Sequence, residues 1–268
     1  MRKYKLAITA ICGNEEKWIR QWCESVMKAN PDYVVVNLTQ YDDNSEQLLI
    51  EGIPADKLTL IKHPWKKSFS EARNHYLDIL PRDTDYCFFI DMDEVITKTS
   101  YAALEKFLSN EHESVLGMVS IFNKMDFKSL TASLFYPRIH PVRHEGKWLN
   151  VYFESEVHNQ LMGAENFPHF MLPVYLYHYG YALNPEAMAK KQARSEELLR
   201  NQVAKDDKNA FAYSNLAQLL RAKNDNEASY NAALRALEIS LNLPEKPLNI
   251  IIMSYEQMGS CLMFNGQF

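Results

Sequence analysis

Strand and helix signals alternate over the first ninety residues, and that alternation constrains the fold more than any other feature of the chain. Residues 5–12 read as a strand, and residues 15–29 as a helix with Trp18, Ile19, Trp22, Val26 and Met27 on one face at helical spacing. Tyr33-Val-Val-Val-Asn-Leu38 is a β-branched strand of the kind buried on both faces, and residues 58–61 form a short third. Ser68-Phe69-Ser70-Glu71 has the form of a capping box and opens a helix that runs to about residue 80. Residues 85–91 close the series. Strands alternating with helices of this length imply a parallel sheet, with a ligand crevice beyond the carboxyl ends of its strands.

The last of these strands ends abruptly. Tyr86-Cys87-Phe88-Phe89-Ile90 runs straight into Asp91-Met92-Asp93-Glu94. An ionised carboxylate is costly to bury unless it is paired or binds a cation. Carboxylates delivered at the carboxyl end of a buried strand stand where open α/β sheets bind ligands. Oxygen ligands of this kind suit Mg²⁺ or Mn²⁺, and such ions commonly hold phosphates. An Asp-rich turn is the plainer alternative, because Asp is a common turn former.

The remainder divides in two. Strand-like runs at 115–122, 133–140, 149–153 and 170–177 predict added antiparallel pieces that would complete an acceptor cleft. From Pro185 onward the chain reads as helical. There Tyr213-x-x-Leu216-Ala217-x-x-Leu220 is echoed by Tyr255-x-x-Met258-Gly259-x-x-Leu262, the aromatic-x₂-Leu-Gly-x₂ opening of a tetratricopeptide helix. The two units lie further apart than the usual ~34 residues, which predicts an enlarged loop at 242–247. A generic helical bundle would explain the same composition. Gly266-Gln267-Phe268 falls where the second unit should turn into its next helix, so a continuation of the chain or another molecule is expected to cover that end.

Composition excludes several classes. A formal net charge of −5 argues against a nucleic-acid binder, which usually carries a basic domain or stripe. The 15 Tyr and 13 Phe serve first as core, and second as stacking surfaces for sugar or base rings. Cys12, Cys23, Cys87 and Cys261 lack any C-x-x-C spacing, so neither a zinc framework nor a disulfide scaffold is expected. The seven apolar residues 6–12 run into Gly13-Asn14-Glu15-Glu16 without a cleavage site, so a secretory leader is not expected. No run approaches the ~18 apolar residues of a membrane span. The expected location is cytoplasmic, or peripheral at the inner face of the membrane.

With the Asp-x-Asp placed after a helix that opens Ser70-Glu71-Ala72-Arg73-Asn74, residues 4–182 resemble a known family. They look like the family 2 glycosyltransferases of GT-A fold, in the bacterial branch that joins such a domain to tetratricopeptide repeats. Several motifs occur in the family's order: Gly13-Asn14-Glu15-Glu16, Val34-Val35-Val36-Asn37, Phe69-Ser70-Glu71-Ala72-Arg73-Asn74 and Asp91-Met92-Asp93-Glu94. Two more follow, Phe153-Glu154-Ser155-Glu156-Val157-His158-Asn159-Gln160-Leu161 and His178-Tyr179-Gly180-Tyr181. The implied architecture is an α/β Rossmann-like GT-A domain with a mixed sheet over 1–182, followed by an all-α, tetratricopeptide-like region over 183–268.

The resemblance implies transfer from a nucleotide-diphosphate sugar, UDP-linked for preference, to a glycan, lipid-linked or polypeptide acceptor with inversion. Mn²⁺ or Mg²⁺ would neutralise the departing diphosphate. Asp93 is the first expected metal ligand, with Asp91 on metal or ribose and His178 on metal or diphosphate. A core histidine is the plainer reading of His178. Arg73, Ser70 and Asn74 lie at the start of a helix, whose N-terminus attracts phosphate; a surface salt bridge from Arg73 to Glu71 or Asp78 is the alternative. Asn14, Glu15 and Asn37 end the first two strands, where base and ribose should bind. Glu154, Glu156 and His158 would share one side of an extended strand and supply the catalytic base, unless they form a solvated edge.

Three departures weaken the pattern. Gly13 stands where the family has Lys, Asn37 where it has Asp, and Asn159 where it has Glu. They favour the competing reading of a catalytically weak or inactive domain that acts as an interaction protein, with a partner subunit or self-association through the repeats. A nucleotidyltransferase would need a Gly-rich loop after the first strand, which Cys12-Gly13-Asn14-Glu15 is not.

Overall fold

The structure, a computed structural model, describes residues 2–124, 130–180 and 185–264. It divides into two compact units, one within residues 1–154 and 159–183, the other within 155–158 and 184–268.

The first unit opens with β1 (Leu6–Cys12), α1 (Glu16–Lys28), β2 (Tyr33–Leu38), α2 (Ser45–Gly52), β3 (Leu58–Lys62), α3 (Phe69–Asp78) and β4 (Tyr86–Phe89). It continues through β5 (Glu94–Ile96), α4 (Ser100–Ser109), β6 (Leu116–Lys124) and β7 (Leu130–Pro141). A small hairpin, β8 (Arg143–His144) and β9 (Lys147–Trp148), precedes β10 (Tyr152–Glu154), β11 (Gln160–Met162) and β12 (His169–His178). Eight strands form one mixed sheet in the order β3-β2-β1-β4-β7-β6-β12-β5. β3, β2, β1 and β4 run parallel. β7 then joins β4 antiparallel, with Phe88 opposite Ile139.

Side-chain alternation explains why this half is a sheet covered on both faces. Leu6, Ile8, Ala10 and Cys12 point into one core with Ile19, Trp22 and Val26 of α1. Ala7 joins the opposite core with Val35, Cys87 and the α3 residues Tyr76 and Leu77. Because both faces are buried, these strands read as continuous apolar runs. The chain leaves β1 toward β2 and β3, then returns to β4 on the other side of β1. That reversal is a topological switch point, and its crevice lies beyond the ends of β1 and β4.

α3 starts as its sequence requires. The Ser68 hydroxyl accepts the Glu71 N–H at 3.1 Å, capping one of the first-turn donors. The second half of the unit departs from expectation in detail. Residues 149–153 are not one strand: β9 ends at Trp148 and β10 begins at Tyr152. α2, α4, β5 and β11 were not anticipated, being short elements fixed by packing on the sheet rather than by their own periodicity.

The second unit is helical: α5 (Pro185–Lys205), α6 (Ala210–Ala222), α7 (Asn226–Leu241) and α8 (Leu248–Phe264). Asn209 caps α6 by accepting the Ala212 N–H at 2.9 Å, and Asp225 caps α7 through the Ala228 N–H at 3.2 Å. Small residues let α6 and α7 approach closely, and the buried Ser229 hydroxyl donates to the Ala217 carbonyl at 2.8 Å. Residues 242–247 connect α7 to α8. Tyr181 and the closing Gly266-Gln267-Phe268 lie outside the described residues. No described helix is long and apolar enough to cross a membrane.

Candidate active site

The Ile90 N–H bonds to the Thr9 carbonyl at 3.0 Å, which keeps the chain in the sheet one residue past β4. Ile90 and Met92 are buried, while Asp91 keeps 38% of its side chain exposed and Asp93 22%. The turn closes when the Glu94 N–H meets the Asp91 carbonyl at 2.9 Å. β5 then lies antiparallel to β12, with Glu94 opposite His178. This pairing carries His178 to Asp93 across 85 residues of sequence: Nε2 lies 3.2 Å from the carboxylate. Asn123 of β6 fixes the ring from its other side, 2.7 Å from Nδ1.

Two arginines hold the acids. Arg73 Nη2 donates to Asp91 at 2.8 Å, and Arg138 Nη2 donates to Glu94 at 2.6 Å. Arg138 Nη1 also reaches Asp91, at 3.5 Å. Both guanidinium groups also lie over the ring of Phe89, that of Arg73 4.4 Å and that of Arg138 4.5 Å from its centroid. Two of the three carboxyl groups, Asp91 and Glu94, are paired with the two guanidiniums, and Asp93 faces His178 instead. Burial alone would raise the Asp91 carboxyl, but Arg73 and then Arg138 hold it well below the usual carboxylate range. Burial pushes Glu94 up to about 7 against the pull of Arg138, and the charge of Asp91 adds to the rise.

The expected metal trio is therefore split. Asp93 and His178 face each other, whereas the oxygens of Asp91 are turned to Arg73 and Arg138. Asp91, Asp93 and His178 do not form a converged three-donor group. Arg73 does not pair with Glu71 or Asp78 at the surface: it is 8% exposed and its ion pair is with Asp91. The donor set of Asp93 oxygen and His178 imidazole nitrogen fits a divalent cation.

The sequence profile of glycosyl transferase family 2 matches residues 8–171. The chain belongs to that family. Its fold is similar to the crystal structure of S. aureus TarS 1–349, with a TM-score of 0.54, 15% identity, and 98% of this chain and 92% of that one covered. The same TarS fragment in complex with UDP-GlcNAc gives a TM-score of 0.56 at 14% identity, covering 96% and 89%. Against the longer S. aureus TarS structure the chain covers 96% of itself and 54% of that protein, at 16% identity and a TM-score of 0.50. No curated protein matches the sequence.

Around the crevice of this glycosyltransferase domain, the other expected residues fall into distinct settings. Asn14 is exposed at the mouth, where its side-chain oxygen accepts the Asp42 N–H at 3.0 Å and ties the loop after β1 to that after β2. The Glu15 N–H bonds to Ser45 Oγ at 2.9 Å in the same seam. Asn37 is fully buried. Its amide donates to the Ala72 carbonyl at 2.7 Å and its oxygen meets no partner, so it faces α3 rather than the open crevice. Ser70 pairs with the cap residue Ser68, 3.0 Å between hydroxyls. Asn74 grips β10 with both ends of its amide, donating to the Phe153 carbonyl at 3.0 Å and accepting its N–H at 2.7 Å.

Glu154, Glu156 and His158 do not share a strand face. β10 ends at Glu154, and Ser155 (φ 72°) and His158 (φ 53°) are left-handed, which breaks the alternation. Glu154 and His158 are exposed, while Glu156 is ion-paired with Lys205 of α5. Sequence reasoning missed Arg138. Its only signal was an arginine inside an apolar strand-like run, at a position where a cation needs a buried partner.

Proposed function

We propose that the protein is a metal-dependent inverting glycosyltransferase that takes a sugar from a UDP-linked donor. What supports this reading is the Asp93–His178 pair beside an arginine-braced Asp91, at the switch point of a family 2 domain. TarS, crystallised with UDP-GlcNAc and with UDP, makes the N-acetylhexosaminyl donor the first to try. Asp93 and His178 would hold Mn²⁺ or Mg²⁺. When bound, that ion supplies charge neutralisation for the departing diphosphate.

The protein's own groups then divide the work. Arg73 and Arg138 fix Asp91 as an ionised acceptor for ribose hydroxyls, or as a further carboxylate that would help to hold the ion. Asn14 and Glu15 form the rim that meets base and ribose. Ser70, Asn74 and Asn37 act through the position of α3 and β10 rather than on the donor directly. Glu154, exposed at the end of β10, is the base that takes the proton from the acceptor hydroxyl as its oxygen attacks the anomeric carbon. The helices after residue 183 are tetratricopeptide-like repeats that receive a glycan, lipid-linked or polypeptide acceptor, or a protein partner. Work at the inner face of a membrane follows if the acceptor is lipid-linked.

UDP release is the test, measured with UDP-GlcNAc, UDP-glucose and UDP-galactose in the presence of Mn²⁺ or a chelator. Metal-dependent release from one donor supports the transferase. A folded protein that binds UDP and releases it from none is the interaction protein instead.

A further inference from the structure

We propose that His63, Glu71 and His75 form a second cation site, for a transition metal of the zinc class, on the connection between β3 and α3. One donor atom from each residue lies within 4.8 Å of the other two. His63 Nε2 is 2.9 Å from Glu71 Oε1, and His75 Nε2 is 3.7 Å from the same oxygen. Ligands at ~2.1 Å from a tetrahedral ion stand about 3.4 Å apart, a value these two separations bracket. The three groups are already gathered, the side chains retaining only 18%, 33% and 38% of their exposure, and the two imidazoles, with centroids 3.6 Å apart, would open to about 5 Å around a tetrahedral ion.

Helix geometry explains the set. Glu71 and His75 are four residues apart and share a face of α3. Arg73, midway between them, projects about 200° around the axis from each, and it is the residue that braces Asp91. His63 comes from the chain immediately after β3, with its N–H on the Leu38 carbonyl at 3.0 Å. Two imidazoles with one carboxylate favour Zn²⁺ over the oxygen-loving Mg²⁺ and Mn²⁺. Three protein ligands leave a fourth position for water. The ammonium of Lys66, 3.1 Å from Glu71 Oε1, now supplies the positive charge beside that carboxylate, and the ion would displace it. Once bound, the ion ties the end of β3 to α3.

The test is a zinc titration of the tag-free full chain in an Asp93→Asn background, which removes the acidic ligand after β4 from the reading. Calorimetry is expected to show one Zn²⁺ per chain, with a raised thermal midpoint and no comparable response to Mn²⁺. His63→Asn/His75→Asn is expected to lose this binding, and Glu71→Gln, which removes a direct ligand, to weaken it by more than the ~10–100-fold that the loss of an outer-shell partner costs. Lys66→Met is expected to tighten it. Co²⁺ in place of Zn²⁺ should give tetrahedral visible absorption that the double variant lacks. Zinc uptake equal in the folded double variant and its parent would overturn the proposal, as would no uptake by either.

Discussion

Arg138 serves two acids at once, one guanidinium nitrogen on Glu94 and the other reaching Asp91. Glu94 is 1% exposed and Arg138 8%, so neither charge has water to fall back on. Breaking a buried pair by removing one partner leaves an uncompensated charge, which costs about 3–5 kcal/mol. Arg138→Met should therefore lower stability by up to that amount in urea unfolding well above pH 7, where Glu94 is ionised, and by less where Glu94 takes up a proton, and it should loosen Asp91. A loss below about 1 kcal/mol would mean that water already solvates this network. Asp91 and Asp93 stood out in the sequence because a buried strand that runs straight into carboxylates ends either in a turn or at a ligand edge. Arg138 did not, because its role exists only when β7 pairs with β4, which no local pattern announces.

α3 distributes its side chains by position, and each direction has a separate consequence. Ser68 starts the helix, Arg73 turns to Asp91, Glu71 and His75 turn to His63, and Asn74 turns to β10. The Asn74 amide stands in for a neighbouring strand at Phe153, because β10 pairs only with the three residues of β11. Asn74→Ala removes both bonds and should cost about 1–3 kcal/mol. Amide exchange at Phe153 should speed up in that variant while β1 and β2 stay protected. Uniform loss of protection would show that α3 itself had been disrupted. The helix start was readable from Ser-x-x-Glu, a local signal. The end of β10 was not, because two left-handed residues, Ser155 and His158, carry no Gly or Asn to mark them.

For the molecule as a whole, the loss of stability between pH 6.5 and about 4 should trace chiefly to His140. It is fully buried against Phe89 and Phe153, neither ring nitrogen makes a hydrogen bond, and burial pushes it down to about 4 from 6.5. The unfolded chain takes up this proton first, so the contribution is complete above pH 6.5 and is lost as pH falls toward 4. Its size is up to about 3 kcal/mol. Glu94, pushed up from 4.5 to about 7, contributes the opposite slope between those values. The His140 part is therefore read as the stability difference between the parent and His140→Leu, which should narrow as pH rises from 4 to 6.5. A difference flat across that range would contradict the buried neutral imidazole. The parallel half of the sheet and its crevice followed from the β/α alternation. The order β7-β6-β12-β5 did not, because it rests on long-range pairing. The proposed activity depends on a metal-dependent nucleotide site built on Asp93. Calorimetric titration of UDP into the parent and Asp93→Asn, with Mn²⁺ and with chelator, is the decisive experiment. Binding that needs both the metal and Asp93 is the predicted result. Equal UDP affinity in a folded Asp93→Asn protein, or in the parent with and without metal, would contradict it.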